Sequence, residues 1–306
     1  MNVLEVENVY KHYGEYTALE NVSLAVKEQS VFGLLGPNGA GKTSLIRIIN
    51  QITAPDSGKL TFMGELMESK HVAYIGYLPE ERGLYRKMKV GEQAIYLAML
   101  KGLDKQTAEK RLKQWFEKFD ITSWWNKKVE ELSKGMQQKI QFIVTVIHEP
   151  KFLIFDEPFS GFDPINVNLL KDEMLALKKN GASIIFSTHN MASVEELCDD
   201  IALINKSKKI LDGNIADIKN MYKENIFEIV YLKTEINIAD ILGNICSILD
   251  TSTTKDKICA KIKLMEGKSN DLITKLLPYI SICEFKEILP SMEDVFIRQV
   301  KDDSLQ

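Results

Sequence analysis

The stretch GPNGAGKT, Gly36 to Thr43, limits what this chain can fold into more than any other. An apolar run, Val31 to Leu35, leads into it, and a helical pattern, Lys42 to Asn50, leaves it. Strand, glycine-rich loop and helix in that order turn the pattern GxxxxGK-Ser/Thr into a phosphate-gripping loop. Gly36, Gly39 and Gly41 permit backbone conformations that a side chain would block. The loop N–H groups then converge on an anion at the positive end of a helix dipole. Lys42 has the reach for β- and γ-phosphate oxygens, the Thr43 hydroxyl is placed for Mg²⁺, and Ser44 adds a donor for the inner phosphates. A tight strand-to-helix turn without a ligand is the plainer reading, and the full eight-residue pattern in this setting argues against it.

A chain of 306 residues accommodates one large or two smaller domains. Its apolar fraction of 45% is ordinary for a globular core, and a formal charge of −4 argues against a basic nucleic-acid footprint. Cys198, Cys246, Cys259 and Cys283 show no metal-binding spacing and read as reduced, packed side chains. The charged N-terminus lacks the apolar core of a signal peptide, and no run approaches the roughly 18 apolar residues of a membrane span. The chain therefore reads as cytosolic, with membrane association arising through a partner.

Alternation over residues 2–9 and 17–28 predicts two strands, with Tyr10 to Gly14 a turn between them. After the loop helix, the turn Ala54 to Gly58 feeds a strand from Lys59 to Met63. Residues 71–79 read as a buried strand. Residues 82–148 read as a mainly helical insertion with helical period over 90–101 and 105–119. In the second of these, Leu112, Trp115, Phe116 and Phe119 form one core-facing stripe. Ser133 is placed to cap a helix running to about Ile147. Phe152 to Glu157 reads as a buried parallel strand with carboxylates at its C-terminal tip, where open α/β sheets bind ligands. A helix over 165–179, a strand over 182–186 ending in Ser187-Thr188-His189-Asn190, a helix over 191–198 and a hairpin over 201–211 follow. Near residue 218 the organisation shifts. Strands at 226–232, 257–264 and 281–289 alternate with helices at 237–249 and 270–279, and Ser291 to Asp294 opens a last helix. The predicted fold is α/β: a mixed-sheet core with antiparallel N-terminal strands and a helical subdomain over 1–217, then a small α+β domain over 218–306.

These motifs resemble, over about residues 1–215, the ATP-binding subunit of ABC-type transporters. GPNGAGKT, LSKGMQQ (132–138), FLIFDEP (152–158), SGFDP (160–164) and His189 in STHN stand in that family's order. A phosphate loop alone fits many NTPases, whereas LSxGxxQ upstream of an apolar-Asp-Glu strand is far more specific. The resemblance implies ATP and Mg²⁺ as ligands. It places Gly36, Pro37, Asn38, Gly39, Ala40, Gly41, Lys42, Thr43 and Ser44 around the phosphates and Tyr13 on the adenine. It implies that Thr43 and Asp156 serve Mg²⁺, that Glu157 is the general base, and that His189 contacts the γ-phosphate and orients Glu157. Asp163 would lie at a dimer seam. Ser133, Gly135 and Gln138 belong to the signature, whose helix N-terminus would bind the γ-phosphate held by another chain. One phosphate loop and one signature per chain then imply a head-to-tail pair with a second copy or a homologous cassette, joined to a transmembrane permease subunit. Glu80, in YLPEERGLY, stands where the family usually has Gln. It keeps an oxygen for Mg²⁺ or its water and loses the amide donor. That stretch and the C-terminal appendage are similar to an exporter branch that includes the sodium-extruding NatA type.

The function implied is an ATPase subunit of a membrane exporter, peripheral at the inner face of the cell membrane, with no nucleic-acid partner. A soluble ABC ATPase of translation or DNA repair, or a nucleotide-gated module without turnover, are the alternatives. The single cassette, the absence of sustained heptads, the acidic balance, and the presence of Glu157 and His189 weigh against them.

Overall fold

The computed structural model describes residues 1–81 and 83–305; Arg82, which opens the expected helical insertion, lies outside the described residues. The chain divides into two compact units, Met1–Ile215 together with the chain from Gln299 onward, and Ala216–Arg298.

In the first unit, β1 (Asn2–Tyr13) and β2 (Tyr16–Lys27) form an antiparallel hairpin whose Leu4, Val6, Val9, Leu19, Val22 and Val26 are buried. The strand runs on through the expected turn at Tyr10 to Tyr13. Lys11 pairs with Leu19 and Tyr13 with Tyr16, while Asp56 accepts the His12 N–H at 2.6 Å and the Lys11 ammonium at 2.8 Å. These distant partners hold extended a segment whose own residues suggest a turn. After β3 (Val31–Leu35) and α1 (Lys42–Ile49), β4 (Ser57–Phe62) and β5 (Glu65–Leu66) complete a sheet of order β2-β1-β4-β5. β6 (Ile75–Leu78) is shorter than the strand expected over 71–79. The His71 ring takes the Glu68 N–H at 3.0 Å, and Ser69–Tyr74 winds into a 3₁₀ turn instead.

The helical segment comprises α2 (Val90–Leu100), α3 (Lys105–Lys118) and α4 (Lys134–Val146). Leu112, Phe116 and Phe119 are buried, as the stripe requires, and Phe142 stacks on Phe155 of the strand that follows. Then come β7 (Phe152–Asp156), α5 (Pro164–Lys179), β8 (Ser183–Ser187), α6 (Met191–Leu197), β9 (Asp200–Asn205), β10 (Lys208–Asn214) and α7 (Ile215–Met221).

The main sheet has the order β10-β9-β3-β8-β7-β6, parallel from β9 to β6 with β10 antiparallel at one edge. β3, β7 and β8 are buried at every residue, which explains their unbroken apolar runs. Because the strands run parallel, the chain leaves β3, β6, β7 and β8 at one end of the sheet. Gly36, Glu80, Glu157 and His189 are thereby gathered from four remote stretches of sequence.

The second unit contains β11 (Ile226–Leu232), α8 (Ile238–Leu242), β12 (Cys246–Thr253), β13 (Lys257–Leu264), α9 (Ser269–Leu276) and β14 (Ile282–Ile288). α10 (Met292–Leu305) follows, opened by Ser291 and Asp294, which accept each other's backbone N–H. The sheet order β12-β13-β11-β14, antiparallel throughout, makes this a split β-α-β arrangement. Phe227, Ile229, Ala260 and Ile262 pack in one buried cluster with Leu242, Leu272 and Leu276. The helix expected over 237–249 stops at Leu242. Gly243 follows with φ +54°, and from Cys246 the chain pairs with β13. Ile238, Ile241, Leu242 and Ile245 carry a helical period, but the ladder partner decides the conformation beyond Cys246.

Candidate active site

The phosphate loop is shaped by close backbone approaches. A Cβ on Gly36 (φ +147°) would lie 2.1 Å from the Ile204 carbonyl oxygen, and one on Gly41 (φ +116°) 2.3 Å from that of Ala18. Gly41 begins α1 without a capping side chain, so the first-turn N–H groups of that helix keep their donor capacity. Asn38, Gly39, Gly41, Lys42, Thr43 and Ser44 line a cavity of about 330 Å³ together with Tyr16, Glu80, Asp156 and Glu157. Exposed Pro37 and buried Ala40 shape the loop without lining that cavity. Lys42 is only 8% exposed, and its Nζ donates to the carbonyls of Gly36 at 2.7 Å and Pro37 at 3.1 Å. Burial holds its pKa below the ordinary lysine range, against the opposing pull of the Glu157, Asp156 and Glu80 carboxylates. A buried ammonium beside uncapped helical N–H groups fits a chain of phosphates.

Asp156, 3% exposed, ends β7. Burial lifts its carboxyl above the ordinary range, the Glu80 and Glu157 carboxylates add to the effect, and Lys42 opposes it. Glu157 leaves the strand with φ +47°, a backbone region that side-chain-bearing residues seldom adopt, and its N–H donates to the Ser187 carbonyl at 2.9 Å. Its Oε1 accepts the His189 N–H at 3.0 Å and lies 2.7 Å from His189 Nδ1. A hydrogen bond between an ionised carboxylate, which offers only lone pairs, and this ring nitrogen requires Nδ1 to be the donor. Oε2 accepts the Thr188 hydroxyl at 3.2 Å. Glu157, Thr188, His189, Asn38 and Glu80 line a second cavity of about 420 Å³. A third, of about 500 Å³, is lined by Tyr13, Arg47, Tyr77, Glu80, Thr43 and Asp156 among others. Burial, with the Asp156 charge adding, pushes the Tyr77 phenol up to about 12. Glu80 is common to all three cavities.

The ABC transporter family profile matches residues 19–160, and a profile for the C-terminal domain of DrrA1-3-like ATP-binding proteins matches residues 213–300. The uncharacterized ABC transporter ATP-binding protein YhaQ of Bacillus subtilis is 43% identical over 97% of this chain and 98% of its own length. The chain belongs to the ATP-binding subunits of ABC transporters. The linearmycin resistance ATP-binding protein LnrL of the same organism is 29% identical over 96% of this chain and 97% of its own. A solved ATP-binding subunit of an ABC transporter superposes with a TM-score of 0.68 at 30% identity, covering 72% of this chain and 93% of that one. This subunit is an ATPase, and subunits of its family pair with one another and work with transmembrane permeases.

The signature end of the subunit is built differently from the phosphate loop. Ser133 caps α4, its hydroxyl accepting the Met136 N–H at 3.3 Å, and it is exposed. Ser133 and Gly135 line none of the three cavities described above. A Cβ on Gly135 would stand 3.1 Å from the Gly161 carbonyl, so the helix start rests against the loop after β7. Gln138, expected among the nucleotide contacts, is 1% exposed and donates to the Pro158 carbonyl at 3.3 Å. It holds that loop from inside because it falls on the inward face of α4. Asp163 caps α5, accepting the N–H groups of Ile165 and Asn166. Tyr16, Arg47 and Thr188 line the cavities without having been singled out in the sequence. Tyr16 donates to the Gly39 carbonyl at 2.8 Å, a contact that its place beside Tyr13 hinted at. Arg47 lies one helical turn beyond Thr43, and that spacing was its signal.

Proposed function

We propose that this chain is the ATPase subunit of a membrane exporter, acting as a head-to-tail pair in which each chain's Ser133 end closes the other's phosphate cavity. The observation that carries the reading is the separation of the parts. Lys42, Asp156 and Glu157 line one cavity, while exposed Ser133 and half-buried Gly135 line none of the three. A second copy completes a site that one copy leaves open.

In that site the loop N–H groups, Lys42 and Ser44 hold the phosphates, and Tyr13 supports the adenine. Thr43, Glu80 and Asp156 line the same two cavities and offer only oxygen donors, the set a hard divalent cation takes. Mg²⁺ would be held by Thr43 and Asp156, with Glu80 reaching it directly or through water, and would neutralise charge on the phosphates. Glu157 takes the proton of the attacking water, and His189 keeps it aimed. Catalysis here is mostly positioning and electrostatics. Asp163 stands at the seam between the two copies.

Export is supported by the likeness to LnrL, whose name records resistance. The likeness of YLPEERGLY to the sodium-exporting branch supports the same direction of transport; the membrane partner selects the cargo. On the helical segment Tyr85, Tyr96, Met99 and Leu100 are exposed, with the Tyr85 and Tyr96 rings 6.4 Å apart, an apolar face suited to the cytoplasmic ends of a permease. Among the described residues no helix is long and apolar enough to cross a membrane. The chain works on the cytoplasmic face through its permease. Affinity purification of the tagged chain from detergent-extracted membranes tests this. A multi-span protein recovered with it, and ATP-driven cargo uptake by inside-out vesicles, are the expected results. Recovery only with ribosomes or DNA would instead support a soluble ABC ATPase.

A further inference from the structure

We infer that Thr188 is the positioning residue that decides which oxygen of Glu157 receives the proton in hydrolysis. The inference rests on Glu157 being the general base. Thr188 is 2% exposed, between the end of β8 and His189. Its hydroxyl oxygen accepts the Asn190 N–H at 3.2 Å, and Asn190 is itself fixed as the cap of α6 by accepting the Ser193 N–H at 3.0 Å. An alcohol has one proton to give, and Thr188 gives it to Glu157 Oε2 at 3.2 Å.

A carboxylate offers about four lone-pair sites, two on each oxygen. Those of Oε1 are both engaged, by the His189 N–H and by Nδ1. One of those on Oε2 is engaged, by Thr188. The open site is on Oε2, and Glu157 lines both the phosphate-loop cavity and the cavity of the histidine loop. In hydrolysis the proton of the attacking water therefore goes to Oε2. As it does, the water oxygen bonds to the γ-phosphorus and the bond to the bridging oxygen breaks, its electron pair leaving on ADP. His189 anchors one oxygen and Thr188 fixes the other. Without the Thr188 hydroxyl the carboxylate hangs from His189 alone, and its terminal torsion, which has broad minima, is free to turn Oε2 away.

The test compares Thr188→Val, which keeps the shape and removes the hydroxyl, with Thr188→Ser, which restores it, in the full-length chain. For Thr188→Val the expected result is a fall in kcat of about tenfold or more, as misplacement of a catalytic group produces. KM and ATP affinity should stay within about twofold, because the phosphate grip is untouched. Thr188→Ser should recover most of the lost kcat. In the Glu157→Gln background, Thr188→Val should lower the residual rate no further, because the hydroxyl's part in hydrolysis runs through that carboxylate and its bond from the Asn190 N–H serves to orient it. Should Thr188→Val lose its melting transition, Thr188→Cys, with similar volume and a weak donor, takes its place in each comparison. Full kcat in Thr188→Val, failure of Ser to rescue, or effects that multiply with Glu157→Gln overturn the inference. A Glu157→Gln chain with unchanged kcat would instead overturn the assignment of the base, so the two failures are distinguishable.

Discussion

Two helix N-termini in the first unit belong to the proposed nucleotide site, and they are finished in opposite ways. α1 begins at Gly41 with no capping side chain, in a cavity already furnished with a buried Lys42 and the Asp156 and Glu157 carboxylates. α4 begins at Ser133, exposed, with its own hydroxyl spent on the Met136 N–H and lining none of the three cavities described above. The first end is organised in the single chain, and its geometry is enforced by backbone contacts that tolerate only glycine. The second is a presented surface. What this teaches, on the function proposed above, is a division of labour: one chain would grip the nucleotide and another would complete its surroundings.

Changes at the α1 end should hurt most. Lys42→Ala removes the one buried ammonium of the cavity and should lower both ATP affinity and kcat, the latter by about 100-fold or more, since losing one preorganised charge contact costs that much in comparable sites. Isothermal titration and phosphate release measure the two effects. Glu157→Gln comes next. It should lower kcat by about 100-fold, within the range for losing a general base, while ATP affinity stays near wild type.

Ser133→Arg sharpens the contrast. Hydrolysis should fall about tenfold or more through loss of the second contact to the phosphates, with ATP binding by the dilute single chain unchanged. A matching loss of affinity in the dilute chain would merge the two ends into one site. Glu80→Gln should do less, raising the Mg²⁺ concentration for half-maximal hydrolysis a few-fold at near-normal kcat. An unchanged Mg²⁺ requirement would remove Glu80 from the ion's surroundings.

The smallest effect lies just past the far end of α4. His148 is half-buried, and that burial, with Lys101 beside it, pushes its pKa down to about 4. Its folded value lies below the unfolded one, so the unfolded chain binds the extra proton first. Stability is therefore full above about pH 6.5, is lost as the pH falls toward 4, and changes no further from this group below that. Thermal melts of His148→Phe should show a flatter pH dependence over that window, with hydrolysis at neutral pH unaltered.

Much of the site was legible because its chemistry is bound to local patterns. The phosphate loop, the carboxylates at the tip of β7 and the Ser133 cap each announce themselves within a few residues, and each stands where the pattern puts it. What escaped depends on partners far away in the chain. β1 runs through Tyr10 to Tyr13 because Asp56 and β2 hold it. β12 exists because β13 pairs with it, although its residues continue a helical spacing. Thr188 matters through a hydrogen bond to a residue 31 positions earlier, and Gln138 turns inward because of the face of α4 on which it falls. No window of single-chain periodicity contains such facts.

The shared site is tested most directly by the mass of Glu157→Gln protein in Mg²⁺ and ATP, measured by analytical ultracentrifugation with and without the added Ser133→Arg change. If each chain completes the other's cavity, Glu157→Gln doubles its mass when ATP is added, and the double variant binds ATP yet stays at the mass of one chain. A Glu157→Gln protein that remains single when saturated with ATP, or an ATP-driven dimer indifferent to Ser133→Arg, contradicts it.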